Sequence, residues 1–160
     1  MREILCRGKK WEKSVWDETD WVYGSLIDSG NHEQVAIFPY RDRASTMSVR
    51  QLVYAEMEGV RAETVGQFTG LTDKNDKRIF EGDILQIITY DGAIDRCVVG
   101  YGKYEAFGTD RTVVGFYLYW ASDKLQYDKY ANLVYWVEER EAVCVGNIHD
   151  NPELLDEKHE

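Results

Sequence analysis

Gly66-Gln67-Phe68-Thr69-Gly70-Leu71-Thr72-Asp73-Lys74-Asn75-Asp76-Lys77-Arg78-Ile79-Phe80-Glu81-Gly82-Asp83-Ile84 sets the reading of this chain. It is turn-rich, with a polar segment at residues 71–77, and leads straight into a strongly apolar run. A second sharp bend follows at Glu81-Gly82-Asp83. Asn75 tolerates positive φ and an Asp side chain can accept from nearby backbone N–H groups, so the first segment has the chemistry of a tight turn. Beyond the second bend, residues 84–90 read as a strand. Asp91-Gly92 favours a two-residue hairpin turn, and residues 97–101 lie on the return strand.

Working outward, residues 21–27 (Trp-Val-Tyr-Gly-Ser-Leu-Ile) form a β-type run closed by the turn signal Asp28-Ser29-Gly30-Asn31. Residues 34–38 are the return strand, ending at Pro39, which cannot donate to a ladder. Before this hairpin, residues 3–6 read as a short strand, Arg7-Gly8-Lys9 as a turn away from it, and residues 11–20 as a connection. Residues 41–63 fit both a helical face and an alternating strand, and read as a short helical or irregular start followed by a strand. Toward the C-terminus, residues 104–112 read as a loop and 113–120 as an aromatic-rich strand. Residues 122–129 are polar, and two further strands fall at 133–137 and 142–145. Asn151-Pro152-Glu153 has the pattern of an N-cap, a proline in the first turn and an acidic start, which predicts a short C-terminal helix with a fraying tail. Strands at this spacing with Gly-rich bends suggest a small barrel.

Composition bounds the function. The 160 residues are 44% hydrophobic and 30% charged, which suits a folded globular chain. Nineteen basic against twenty-nine acidic residues give a formal charge of −10, a field that repels nucleic acid. Arg2, Arg7, Lys9 and Lys10 form a local basic exception. Eleven tyrosines and five tryptophans fill sheet cores or serve interfaces. Cys6, Cys97 and Cys144 are widely spaced and sit among apolar neighbours, as packed thiols rather than reactive ones. With no apolar run of membrane-spanning length and no signal-peptide pattern at Met1-Arg2-Glu3-Ile4, they point to a reducing cytoplasm.

Four blocks carry a resemblance. They are Met1-Arg2-Glu3-Ile4 with Arg7-Gly8-Lys9, then Trp21-Val22-Tyr23-Gly24-Ser25-Leu26, the central residues 64–84, and the closing Val145-Gly146-Asn147-Ile148-His149-Asp150-Asn151-Pro152-Glu153-Leu154-Leu155. Together they span nearly the whole chain and resemble the YopX-like family of phage and prophage proteins. One departure is Asn75-Asp76, where the family has Asn-Gly; Asp reaches positive φ less easily, so the turn differs in type or carries slight strain. The resemblance implies an SH3-type β-barrel in the C-terminal half, a tendency to form homo-oligomers, phage or prophage origin and hence a bacterial cytoplasm. It carries over no catalytic residues. The fold expected is therefore mainly β with little helix: one domain over 1–160, with an N-terminal β-hairpin region in 1–63 and the barrel in 64–155.

No phosphate loop, Gly-x-Ser-x-Gly elbow or His-Glu-x-x-His occurs, and neither a cofactor nor a metal is expected. His32 and His159 fall at a turn and in the tail. If the central and closing blocks met, Glu81, Asp83, His149 and Asp150 could form an acid–base site. Turn and cap roles account for these residues more simply: Asp83 fixes a bend, and Asp150 or Asn151 caps the last helix. Gln67 and Phe68, flanked by glycines, could frame a ligand or permit barrel bends. Tyr117, Tyr119, Trp120, Tyr135 and Trp136 could form an exposed aromatic platform for bases or a partner peptide, and without basic neighbours a partner protein or a second subunit fits it better. The leading expectation is a non-enzymatic binding or assembly protein that self-associates or binds a phage or host protein. A nucleic-acid-associated barrel would need Arg2, Arg7, Lys9, Lys10, Lys74, Lys77 and Arg78 to converge. A hydrolase would need its four candidates in one cleft.

Overall fold

Alternating and near-continuous apolar runs separated by polar turns leave little sequence for helix, and strands account for most of the regular structure. The computed structural model describes residues 4–11, 20–30, 35–39, 48, 57–89, 92–105, 111–120 and 131–156. The chain divides into two units, 1–68 and 69–160. Most of the expected helical or irregular start of 41–63, the polar stretch 122–129, His32 and His159 lie outside the described residues.

In the first unit, β1 (Cys6–Lys9) pairs antiparallel with β2 (Trp21–Asp28), which pairs with β3 (Val35–Pro39), and β3 pairs with β4 (Glu58–Val60). The expected hairpin is present, and its turn is begun locally by the Gly30 N–H donating to Asp28 Oδ1 at 2.8 Å. Cys6, Val22, Val35, Ile37 and Val60 make the core. Arg7-Gly8-Lys9, expected to turn away, continues the strand instead. A side chain at position 8 would press on Val60 and Ile37, so glycine here lets the core close onto β1. After β4 the chain makes a 3₁₀ turn, Ala62–Thr64, held by the Thr64 hydroxyl donating to the Arg61 carbonyl at 2.7 Å. β5 (Gly66–Thr72) starts beside β1 and ends beside β6 (Arg78–Phe80).

The second unit holds an antiparallel sheet in the order β10-β9-β8-β7-β11. Its strands are β7 (Asp83–Ile88), β8 (Ile94–Glu105), β9 (Thr112–Trp120), β10 (Ala131–Asn132) and β11 (Val143–Asn147). Leu85, Ile87, Cys97, Val99, Leu118, Leu133, Trp136 and Cys144 are among the buried residues of its core, with Ile79 from β6. β7 is buried on both faces, since neighbouring Ile84 and Leu85 are each 0% exposed, and this explains why it reads as a continuous apolar run.

Among the described residues the fold is thus mainly β, built from two antiparallel sheets whose ladders form no closed barrel, with an isolated bridge between Lys10 and Val60 joining the end of β1 to β4. Residues 133–137, expected as a strand, go instead into a helical segment that includes a π-type turn, Tyr135–Glu139, so no ladder links the two edge strands β10 and β11. The turn buries Trp136 and Val137 in the core, so tertiary packing outweighs the β preference of the run. The C-terminal helix is a single 3₁₀ turn, Pro152–Leu155, and the Asn151 side chain does not cap it. β8 runs on to Glu105, so Tyr104 lies in a strand rather than in the expected loop.

Candidate functional site

The turn in the central block is organised by one carboxylate. Asp73 is only 4% exposed. Its Oδ1 accepts the Asn75 N–H at 2.8 Å and the Lys77 N–H at 3.0 Å, and its Oδ2 accepts the Cys144 N–H of β11 at 3.0 Å. The Lys77 ammonium donates to the Cys144 carbonyl at 3.2 Å. Burial by itself would raise the Asp73 carboxyl, but the bonds from Cys144, Asn75 and Lys77, with the Lys77 charge, outweigh it and hold the group below its ordinary value. The positive φ of this turn falls on Asp76 (φ 60°).

The bend at Glu81-Gly82-Asp83 meets the closing block directly. Asp83 pairs with Asn147 in register, the Ile148 N–H donates to the Gly82 carbonyl at 2.9 Å, and the Gly82 N–H donates to the Val99 carbonyl at 2.8 Å. Gly82 has φ +81°, and a β-carbon there would stand 3.6 Å from Ile148 and 3.8 Å from His149 Nε2. The two blocks therefore come together, but their ionisable groups point to separate tasks. Asp83 is 2% exposed and its Oδ2 accepts the Phe80 N–H at 2.8 Å, which fixes the bend. Asp150 is exposed and accepts from Asn147 Nδ2 at 2.9 Å. His149 is half-buried against Gly82, and Glu81 is half-buried near Tyr119. Among the described residues no three His, Cys, Asp or Glu side chains are grouped so as to hold a metal ion.

Asn147, which the sequence reading passed over, is the hub of the closing block. Its Oδ1 accepts the N–H groups of His149 and Asp150, both at 3.0 Å, and its carbonyl accepts the Asn151 N–H at 2.9 Å. Its place two and three residues before those N–H groups is the signal of an Asx turn.

The five aromatics proposed as one platform divide between the core and the surface. Trp136 is 3% exposed in the core and Trp120 packs against it, their rings 5.8 Å apart in an edge-on arrangement. Trp136 is thus buried and Trp120 half-buried. Tyr117 and Tyr119 lie on the opposite face of the sheet from Trp120, since strand residues alternate. There Tyr104, Tyr117 and Tyr119 form a row with ring centroids 5.6 and 6.2 Å apart. The row rests on glycines: a β-carbon on Gly100 would lie 3.0 Å from the Tyr117 ring, one on Gly102 3.6 Å from it, and one on Gly115 4.0 Å from Tyr104. Burial, then Tyr117 and Glu81, push the Tyr119 hydroxyl above its ordinary value. On the core side of the same ribbon, beyond the core, Tyr101 is 53% and Val114 59% exposed, and Tyr101 meets Phe116 edge-on at 5.1 Å.

Gln67 and Phe68 are strand residues in the first unit. Gln67 pairs with Cys6, the Phe68 N–H donates to the Leu5 carbonyl at 2.8 Å, and both side chains are half-buried. Of the basic residues, Arg7 is 6% exposed with its guanidinium 4.6 Å from the centre of the Trp21 ring, and Lys77 is engaged with Cys144. Arg2 lies outside the described residues.

These features define an antiparallel two-sheet protein whose central and closing blocks are held by their own carboxylates and amides, with an aromatic ribbon at the surface. The chain belongs to the YopX protein family, whose profile matches residues 11–156. Among solved structures it is similar to the crystal structure of protein EF1440 from Enterococcus faecalis, at 21% identity and a TM-score of 0.47, covering 95% of this chain and 96% of that one. No curated protein matches the chain. Among the described residues no helix is long and apolar enough to cross a membrane.

Proposed function

We propose that this chain is a phage- or prophage-encoded binding and assembly protein without an enzymatic role, acting in the bacterial cytoplasm and self-associating through the β8–β9 ribbon. The observation that carries the reading is the outer part of that ribbon on its core side. Tyr101 and Val114 stand more than half exposed beside Phe116, an apolar surface that a second copy would cover. Two of the acid–base candidates support the same reading, because Asp83 is buried with its carboxylate accepting the Phe80 N–H, and Asp150 is exposed and accepts from the Asn147 amide.

The five-stranded unit is, on this reading, an opened form of the SH3-type barrel implied by the resemblance. Its connectivity supports this: β7 to β10 meander, and the last strand, β11, returns after a helical segment to pair with the first. The nucleic-acid reading draws less support, since Arg7 is buried over Trp21 and Lys77 is held by Cys144.

Light scattering on the size-fractionated protein tests the proposal. The native chain is expected as a defined oligomer, and Val114→Asp as a smaller species with an unchanged circular dichroism spectrum. A native chain that stays monomeric at high concentration would overturn it.

A further inference from the structure

We infer that Asp73, Lys77 and Asn151 guard the free edge of β11: they fill the place of a further strand and so keep a second copy of the chain from adding to the sheet there. The inference is independent of the self-association assigned to the β8–β9 ribbon and concerns a different part of the second unit.

β11 is an outer strand of the five-stranded sheet, paired with β7 on one side. An edge strand presents outward N–H and C=O groups that template pairing with another chain. In an antiparallel ladder a residue exchanges both backbone bonds with its partner or neither. Cys144 and Asn147 give theirs elsewhere, so both point away from β7. At Cys144 the N–H donates to Asp73 Oδ2 at 3.0 Å and the carbonyl accepts from the Lys77 ammonium at 3.2 Å. At Asn147 the N–H donates to Asn151 Oδ1 at 3.4 Å and the carbonyl accepts the Asn151 backbone N–H at 2.9 Å. Each position therefore meets one acceptor and one donor, the pair that an added antiparallel strand would offer. Glycine makes room for the second of these guards, since a β-carbon on Gly146 would stand 2.6 Å from Asn151 Oδ1.

The strand is also one that needs guarding. Ala142-Val143-Cys144-Val145-Gly146-Asn147 carries no charge and no proline, the composition of a segment that pairs with copies of itself. Antiparallel pairing of two such strands sets no like charges opposite one another, and this makes a second copy the occupant to be excluded.

The test is made on the full chain carrying Val114→Asp, so that the ribbon does not set the mass. Lys77→Met keeps the aliphatic stem and frees the Cys144 carbonyl, and Asn151→Ala frees the Asn147 N–H. The readouts are light scattering over a range of concentrations and circular dichroism melts, which confirm folding. The parent is expected at constant mass, and the chain with both guards opened is expected to rise toward twice that mass as it is concentrated. Val145→Lys, which puts a charge on the exposed edge, is expected to return the opened chain to the parent mass. Lys77→Met alone opens one position without touching the buried carboxylate, and the same rise, smaller in extent, is read from it if the combined variant unfolds. A folded variant of either kind that keeps the parent mass, or a larger species that Val145→Lys leaves intact, would overturn the inference. Neither result bears on the ribbon, whose failure is read separately when Val114→Asp leaves the mass of the native chain unchanged.

Discussion

Asp73 and Cys144, 71 residues apart in the chain, are joined by a 3.0 Å hydrogen bond from the Cys144 backbone N–H to Asp73 Oδ2. One side chain therefore both shapes the 73–77 turn and ties it to β11. A hydrogen bond to a buried charged group is worth about 1.5 to 3 kcal/mol, and losing the acceptor leaves buried N–H groups unsatisfied. Asp73→Ala is expected to destabilise the second unit by about 3 kcal/mol or more, and Asp73→Asn by less. Urea denaturation of both variants measures this, and an unchanged midpoint in Asp73→Ala would refute the role assigned to the carboxylate.

The same group sets a pH dependence. Its folded value lies below the unfolded one, so its contribution is full above the unfolded carboxylate value and is lost as pH falls through the folded value. Stability should fall on acidification below about pH 4, with a shallower fall in Asp73→Asn. Denaturation midpoints at pH 7, 4 and 3 for both proteins check the sign and the difference.

Asp76 occupies the left-handed region at φ 60°, where an L side chain is strained. Asp76→Gly is expected to stabilise the protein, by up to about 1 kcal/mol, by removing that strain. A lower melting temperature in the variant would show that the Asp76 side chain contributes more than its backbone costs.

Much of this was legible in the sequence because the signals are local. The 21–38 hairpin, the strand after Gly82 and the strand at 113–120 follow from alternation and turn residues within a few positions. The strain at Asn75-Asp76 was also legible, although the positive φ falls on Asp76 and not on Asn75. What escaped was set by distant partners. Leu133 to Val137 looks like a strand until Trp136 is needed in the core. Arg7-Gly8-Lys9 looks like a turn until Gly8 meets Val60 and Ile37. The site residues divide in the same way. Asp83 was foreseen as a bend former, whereas the long-range half of Asp73's bonding and the seating of Tyr104 and Tyr117 on glycines of a neighbouring strand depend on register, which the sequence does not state.

Cys97 is fully buried, and burial, helped by Asp95, raises its thiol well above the ordinary value. Burial and then Asp83 raise Cys144 to about 11, with Lys77 opposing. Both stay protonated at neutral pH and should resist iodoacetamide in the folded protein while reacting fully in denaturant. Any stability they contribute through titration is complete below the unfolded thiol value and is lost as pH rises toward about 11 for Cys144. Mass spectrometry after timed alkylation at pH 7.5 checks this, and rapid native labelling of either residue would contradict it.

A side chain on Gly100 would press on the Tyr117 ring at 3.0 Å. Gly100→Ala is expected to cost about 1 to 3 kcal/mol through overpacking and to lift Tyr117 from the sheet. Thermal melts and the aromatic resonances of Tyr117 would report both effects, and a neutral substitution with an unmoved ring would show that the seat is looser than the geometry implies.

Self-association is the central claim, and a native mass spectrum of the full chain across a range of concentrations tests it most directly. The account predicts one defined oligomer whose mass is a whole multiple of the 18.6 kDa chain, with nothing added. A monomer at every concentration, or a species carrying a bound metal, nucleotide or nucleic acid, would contradict it.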